Sequence, residues 1–377
     1  MHSFEHDDGA SRTVFGVGTL SRVAPELARL GGRRALVLST PGQRGLAQRL
    51  AEVLGDAAAG IFDGAAAHTP VEVTQAALSR ATALGADSVV SVGGGSTTGL
   101  GKALSARAGL LHLVVPTTYA GSEVTSLLGE TANGEKLTRT GPEILPRVVV
   151  YDVALTTTLT WPVTVTSAVN AMAHTVEALY APDRTADTDA MAVDGLRALA
   201  GGLRSLQRDR DDLDARADLL LGAWLAGRCL EAVGMGLHHK LCHTLGGSFG
   251  LPHAPTHTVV LPHAMAYNAS AAPEAMSAAA AALGVDDAPS GLQALVAGLA
   301  GPVRLDALGF ALADVPRAAD LATARPYPNP RPVDRDGIVG LLTHATEGRT
   351  IDADTVAGAP TGTDSPTQPP HPIEENR

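Results

Sequence analysis

The densest chemistry in this chain of 377 residues lies in GMGLHHKLCHTLGGSFGLPHAPTHTVVLPH, from Gly234 to His263, which holds His238, His239, His243, His253, His257 and His263, six of the 13 histidines. His239 and His243 are four residues apart and share one face of a helix, and His253 follows a Gly-rich turn. Upstream, Asn170-Ala171-Met172-Ala173-His174 puts an amide and an imidazole on one helix face at the same spacing. Imidazoles at this density suit either a divalent metal or an anionic substrate with a proton to move. A second kind of chemistry begins at Gly93-Gly94-Gly95-Ser96-Thr97-Thr98-Gly99-Leu100-Gly101-Lys102, directly after the run DSVVSV. Glycines let a backbone approach a pyrophosphate, a helix start presents unpaired N–H groups, and the hydroxyls of Ser96 and Thr97 add donors. The spacing is not GxGxxG, and Ala103 after Gly101-Lys102 excludes the GxxxxGK[ST] loop. A third segment, PTTYAGSE from Pro116 to Glu123, places Thr117, Thr118 and Ser122 after another β-type run. Two such loops at one sheet edge fit a dinucleotide better than a lone phosphate.

These loops need strands to hold them. Arg34–Thr40, Gly60–Asp63, Asp87–Gly93, Leu111–Pro116 and Arg147–Asp152 are short β-branched runs, while Val23–Leu30, Arg44–Leu54 and Val71–Leu84 carry apolar residues at helical spacing. The alternation predicts a largely parallel sheet covered by helices, with ligands at the carboxyl ends of the strands. Beyond Thr156 the strand signal disappears, and Ala190–Leu206, Leu213–Leu230 and Ala275–Leu283 read as helices. The expected organisation is a dinucleotide-binding α/β domain over 1–155 and an all-helical substrate domain over 156–350. The Pro-rich, acidic stretch 351–377 is expected to be a disordered tail.

Composition narrows the function. The net charge is −11 and no block of Lys or Arg offers a footprint for phosphate backbones or anionic lipid, so neither nucleic acid nor a membrane surface is an expected partner. No apolar run approaches the roughly 18 residues of a spanning helix, and the opening MHSFEHDDGASR is acidic and polar, which points to a cytoplasmic protein. Cys229 and Cys242 read as reduced thiols. Of the 28 basic residues only Lys102, Lys136 and Lys240 are lysines, so those positions are candidates for a demand that the planar fork of arginine does not meet.

Together GGGSTTGLGK, PTTYAGSE, NAMAHTVEALY, MGLHHKLCHTLGGSFGLPH and ARPYPNPRPVDRDGI resemble the iron-containing alcohol dehydrogenase superfamily and, within it, the maleylacetate reductases. The resemblance implies a Rossmann-like parallel-sheet domain joined to an all-α domain, the dehydroquinate synthase-like fold, with the active site in the cleft between them and a homodimer as the assembly. The implied reaction is NADH- or NADPH-dependent reduction of the C=C bond of maleylacetate, or a related 4-oxo-2-enedioate, to 3-oxoadipate. Metal-dependent members hold their ion with one Asp and three His, positions that fall here on Asn170, His174, His239 and His253. Loss of the carboxylate removes a charge and an oxygen donor, so the site reads as vestigial and a metal is not expected. Gly99 stands where many relatives have Asp. Thr40 neither holds a ribose 2′-hydroxyl as an acid would nor repels a 2′-phosphate, so both nucleotides are expected.

The same resemblance places His243 beside the nicotinamide as proton donor and Lys136 near the nicotinamide ribose, where it would pair with a substrate carboxylate. His239 and His253 join them as catalytic candidates, and Asn170, His174, His239 and His253 would bind the dicarboxylate's oxygens. Thr40, Gly93, Gly94, Gly95, Ser96, Thr117, Thr118, Ser122 and Lys136 form the expected cofactor site. Glu177 and Tyr180 are candidates to orient imidazoles, and Lys102 reads as a packing residue. The rival readings are a metal-dependent alcohol or aldehyde dehydrogenase, an enone reductase of a biosynthetic pathway, a cyclase or lyase that uses NAD transiently, and a non-catalytic binding protein that retains only the scaffold.

Overall fold

The computed structural model describes residues 2–132, 135–301 and 303–351, with Glu135 and Lys136 described by their backbone alone; the stretch 352–377 of the expected tail lies outside the described residues. The strands are β1 (Phe4–Asp7), β2 (Arg12–Gly16), β3 (Ala35–Leu38), β4 (Ala58–Phe62), β5 (Ser88–Gly93), β6 (Leu111–Pro116), β7 (Leu127–Ala132), β8 (Glu135–Thr140) and β9 (Val148–Asp152). The α/β half also contains α1 (Val23–Arg29), α2 (Arg44–Leu54), α3 (Val71–Ala83) and α4 (Gly95–Ala108). The remainder is helical: α5 (Trp161–Ala178), α6 (Ala186–Arg208), α7 (Leu213–Ala232), α8 (Leu237–Phe249), α9 (His253–Asn268), α10 (Pro273–Leu283), α11 (Ala288–Ala300), α12 (Val315–Thr323) and α13 (Arg335–Glu347).

One sheet runs in the order β1-β2-β9-β6-β5-β3-β4, parallel throughout except for β1, which returns antiparallel on β2. β3, β5 and β9 are buried along their whole length because helices cover both faces, and their Val- and Leu-rich runs match that burial. The carboxyl ends of β3, β5 and β6 therefore line one edge, where the Thr40, Gly93 and Thr117 loops emerge. Two pairs of strands escape the sequence reading. FEHD and RTVFG form an N-terminal hairpin, and LLGETA and EKLTRT form a separate one. In both, polar side chains facing solvent interrupt the β-branched signal.

The helical half is built around α5, buried continuously from Ser167 to Ala178 and packed against α6, α7 and α9. A helix apolar on every side can be stable only at the centre of a bundle. The two halves touch where the loop after β6 meets α7. Gly121 sits at φ +82°, and a Cβ there would lie 2.8 Å from the Ala223 carbonyl oxygen and 2.9 Å from the Gly227 nitrogen. Only glycine allows that turn and that approach together. Among the described residues no single helix is long and apolar enough to cross a membrane.

Candidate active site

The nucleotide side is made by three loops. Gly93 ends β5 at φ +146°, and a Cβ there would lie 2.4 Å from Gln43 Oε1 and 2.7 Å from Thr97 Oγ1. Gly94 is the N-cap of α4, where its carbonyl accepts from the amides of Thr97 and Thr98 at 3.1 Å each. The first-turn amides of Gly95 and Ser96 have no acceptor within a helix and are free for an anion. A Cβ on Gly95 would meet nothing within 4 Å, so the backbone there opens on free space. The Thr117 amide donates to Gly93 O at 2.9 Å, which ties the second loop to the first. Gln43, absent from the sequence expectations, joins the third: its Nε2 donates to Thr117 Oγ1 at 2.9 Å, and Thr40 Oγ1 donates to its Oε1 at 3.3 Å. Thr40, Gly93–Ser96 and Thr117–Ser122 thus form one contiguous edge. These residues fit a dinucleotide: bare glycine, free amides and small hydroxyls converge on one crevice. Lys136 lies in β8 opposite Thr131, and its side chain is outside the described residues.

The second half of the site is a layer of imidazoles. His174 and His239 stack with ring centroids 5.0 Å apart. His243 stands edge-on to His239 at 6.1 Å, and His253 lies 4.3 Å from His257, which is 5.2 Å from His239. The four expected histidines, on α5, α8 and α9, are therefore brought together, with Asn170 one turn before His174 on α5. His243 and His253 are exposed, whereas His174 and His239 are buried. The Oδ1 of Asn170, Nδ1 of His174 and Nε2 of His239 are buried without a hydrogen-bond partner. Unmatched buried polar atoms at this density mark a site shaped for a ligand.

Behind this layer lies the support. Glu177, one turn beyond His174, is buried and accepts at the start of α8 from the backbone amides of Gly236 (3.1 Å), His238 (2.8 Å) and His239 (3.4 Å). The same carboxylate accepts from Nδ1 of His239 at 2.6 Å, which fixes that nitrogen as protonated and leaves Nε2 for a ligand. Glu177 is thus both the acidic cap of α8 and the orienting partner of its first site histidine. Tyr180 donates to it more distantly, at 3.5 Å. His238 and His257 lie beneath, with Nε2 of His238 and Nδ1 of His257 2.9 Å apart and Cys242 Sγ 3.6 Å from that Nε2. Burial, and then the neighbouring imidazoles, hold His174, His238 and His257 well below the usual histidine range, so all three are neutral. The spacing of His257 four residues after His253 was readable from the sequence; the inward position of His238 beside His239 was not.

The donor set does not fit a preformed divalent-metal site of the one-Asp, three-His type. Asn170 brings no charge, and His174, His239 and His253 do not converge: among the described residues the one trio of His, Cys, Asp or Glu side chains with donor atoms within 4.8 Å of one another is His238, Cys242 and His257.

A parallel-sheet nucleotide domain facing an imidazole layer on a helical bundle defines a class of dehydrogenase-like oxidoreductases, and two family models cover the chain accordingly. Iron-containing alcohol dehydrogenase matches residues 10–153, and Fe-containing alcohol dehydrogenase family, C-terminal, matches residues 164–346. The chain belongs to the iron-containing alcohol dehydrogenase family, a family of NAD(P)-dependent oxidoreductases. Within it the chain is 52% identical over 338 residues to maleylacetate reductase 1 of Rhodococcus opacus, covering 90% of this chain and 95% of the relative. The crystal structure of maleylacetate reductase from Agrobacterium tumefaciens superposes with a TM-score of 0.87 at 53% identity, over 92% of this chain and 99% of that one. An iron-containing alcohol dehydrogenase from Corynebacterium glutamicum matches at 38% identity with a TM-score of 0.86, over 93% of this chain and 98% of that one.

Proposed function

We propose that this protein is a maleylacetate reductase, reducing the C=C bond of maleylacetate with NADH or NADPH to give 3-oxoadipate. The observation that carries the reading is the pairing of Asn170 with an intact imidazole layer. The site keeps its proton-moving groups and lacks the carboxylate that would repel a dianionic substrate, in a chain about half identical to reductases of that name. The substrate is a 4-oxo-2-enedioate, so its double bond is conjugated to a ketone and negative charge builds on the ketone oxygen as the β carbon is reduced.

Thr40, Gly93–Ser96, Thr117, Thr118 and Ser122 would hold NAD(P)H, which would supply the hydride. The free amides at the start of α4 and the hydroxyls of the three loops hold its phosphates and riboses, and Thr40 leaves room for either nucleotide. Asn170, His174 and His253 donate hydrogen bonds to the substrate's oxygens and stabilise the developing enolate, and His239 joins them in its doubly protonated form, whose Nε2–H points to the substrate while Nδ1–H stays on Glu177. Glu177 holds the His239 ring in the orientation that serves this contact. His243, at the exposed edge of the layer, donates the proton to the carbon next to the ketone, and Lys136 pairs with a carboxylate. The reading requires no metal, supported by the uncharged Asn170 and the unconverged imidazoles. It takes the enzyme as a cytoplasmic homodimer without nucleic-acid or membrane partners, in keeping with the charge of −11.

The test is NADH absorbance with EDTA-treated protein and freshly made maleylacetate. Rapid oxidation without added metal supports the reading. Activity that appears only on adding zinc or iron, or only with a simple aldehyde, refutes it.

A further inference from the structure

Lys102 is a buried cation that the reaction above does not use. It lies on α4, two turns from the glycine loop, and is 1% exposed. Its Nζ donates to Ser122 O at 2.6 Å, Leu127 O at 2.8 Å and Thr125 Oγ1 at 2.9 Å, so all three ammonium hydrogens are taken. No carboxylate is among those acceptors, and a buried ammonium held by neutral oxygens is costly unless the geometry repays it. The acceptors share one feature: all lie on the segment Ser122–Leu127, which continues the loop that begins at Thr117. That loop does two things. It carries Thr117, Thr118 and Ser122 along the nucleotide edge, and through Gly121 it bears on Ala223 and Gly227 of α7 in the helical half. Lys102 therefore ties the glycine-loop helix to a stretch of chain that bears on both halves. The identity of the residue agrees with this role. The chain uses arginine at 25 of 28 basic positions, yet a compact ammonium with three divergent hydrogens meets three acceptors that a planar guanidinium cannot.

We propose that Lys102 is a positioning residue of the hydride-transfer site: by fastening Ser122–Leu127 to α4 it sets the nicotinamide end of the cofactor against the imidazole layer, while the adenosine diphosphate end is held without it. The proposal rests on the nicotinamide-cofactor reading. Its test separates the two ends with ADP-ribose, which lacks the nicotinamide. In the full-length Lys102→Met variant the expected result is ADP-ribose affinity within about twofold of native, NADH affinity weakened, and kcat lowered by about 10²-fold, the cost of an ångström-scale misplacement. Lys102→Arg does not rescue it. Thr125→Val, which removes one acceptor and leaves the ammonium, lowers kcat by about threefold to tenfold and the melting temperature slightly, with ADP-ribose affinity within about twofold of native. Should Lys102→Met fail to fold, Thr125→Val carries the test. Native kcat and NADH affinity in a folded Lys102→Met variant overturn the proposal, as does equal loss of ADP-ribose and NADH binding, which marks general loosening, or an unaltered Thr125→Val when it is the only folded variant. A native protein that binds NADH without reducing maleylacetate refutes the reductase reading alone, since the ratio of NADH to ADP-ribose affinity still reports on Lys102.

Discussion

Glu177→Gln is the sharpest single perturbation of the site. The substitution is nearly isosteric, yet an amide offers one oxygen where the carboxylate offers two. Oε2 accepts from the amides of Gly236 and His239 and from Nδ1 of His239, and Oε1 accepts from the His238 amide at 2.8 Å. The best arrangement keeps the amide oxygen on the three-donor side and turns its NH2 onto the His238 N–H, donor against donor. One charge-assisted bond is lost, worth roughly 1.5–3 kcal/mol, and a buried donor is left unmatched at roughly 1–3 kcal/mol. The total of about 2.5–6 kcal/mol brackets the roughly 3–5 kcal/mol usual for breaking a buried charged contact. Trp161 on α5 and Trp224 on α7 are the chain's two tryptophans, and both lie in the helical half. Urea unfolding followed by their fluorescence therefore reads the helical half together with its seam to β1 and β2, where Trp224 Nε1 donates to Thr13 Oγ1 at 3.2 Å and the ring packs on Phe4. The orienting bond to His239 is weakened at the same time, so kcat should fall about 10–100-fold. A loss of stability below about 1 kcal/mol together with a kcat within about twofold of native would refute the assignment of Glu177 as cap and orienter.

His243→Asn should lower kcat by about 10²–10⁴-fold with NADH binding little changed, the signature of a lost proton donor; stopped-flow oxidation of bound NADH measures it. Asn170→Asp should gain affinity for zinc or iron, read by metal analysis after dialysis, and should lose activity in EDTA. Burial and then the nearby His344 lower the His263 pKa from 6.5 to about 4. Its depressed folded-state value means the unfolded chain takes up a proton first, so this contribution to stability is present above pH 6.5 and is lost as pH falls through about 4. In His263→Gln the fall in urea midpoint between those pH values should be shallower by up to one proton's slope, and an unchanged slope contradicts the shift.

The sheet was legible because its central strands are buried on both faces, so Val89, Val90, Val114, Val149 and Val150 stand in uninterrupted apolar runs. Both hairpins were missed because FEHD faces water on one side and Leu137–Thr140 of β8 are exposed throughout, so their polar residues look like loop. The histidine motif and the glycine loop were legible because their chemistry is local in sequence, with spacing enough to name the face. What spacing does not carry is the second layer. Gln43 reaches Thr117 across 74 residues and Glu177 reaches His239 across 62. Lys102 stood in the glycine motif itself and read as packing, because its three acceptors lie on a segment with no pattern of its own.

The helix α5 shows how the fold reconciles these demands. Positions 170, 174 and 177 lie along one face, at intervals of one turn. Metal-dependent relatives would place a carboxylate at the first of these; here the amide stands there and the buried carboxylate is at the third. Two unit charges about 4 Å apart repel by about 4 kcal/mol at an effective dielectric of 20, so an acid at position 170 would weaken a dianion by roughly a thousandfold. Glu177 brings no such penalty, because three backbone amides and an imidazole N–H cover its charge and His239 stands between it and the ligand side of the layer. The charge that orients the imidazoles is thereby kept, while the face offered to the substrate stays free of anions. Asn170→Asp and Glu177→Gln therefore perturb one helix in opposite senses: the first adds an anion where the substrate binds and leaves α8 capped, the second removes the anion that caps α8 and leaves the substrate face uncharged. Activity in Asn170→Asp should accordingly fall through KM for maleylacetate, and in Glu177→Gln through kcat. The reverse pattern, measured as separate kcat and KM, would mean that the substrate lies on the Glu177 side of the imidazole layer.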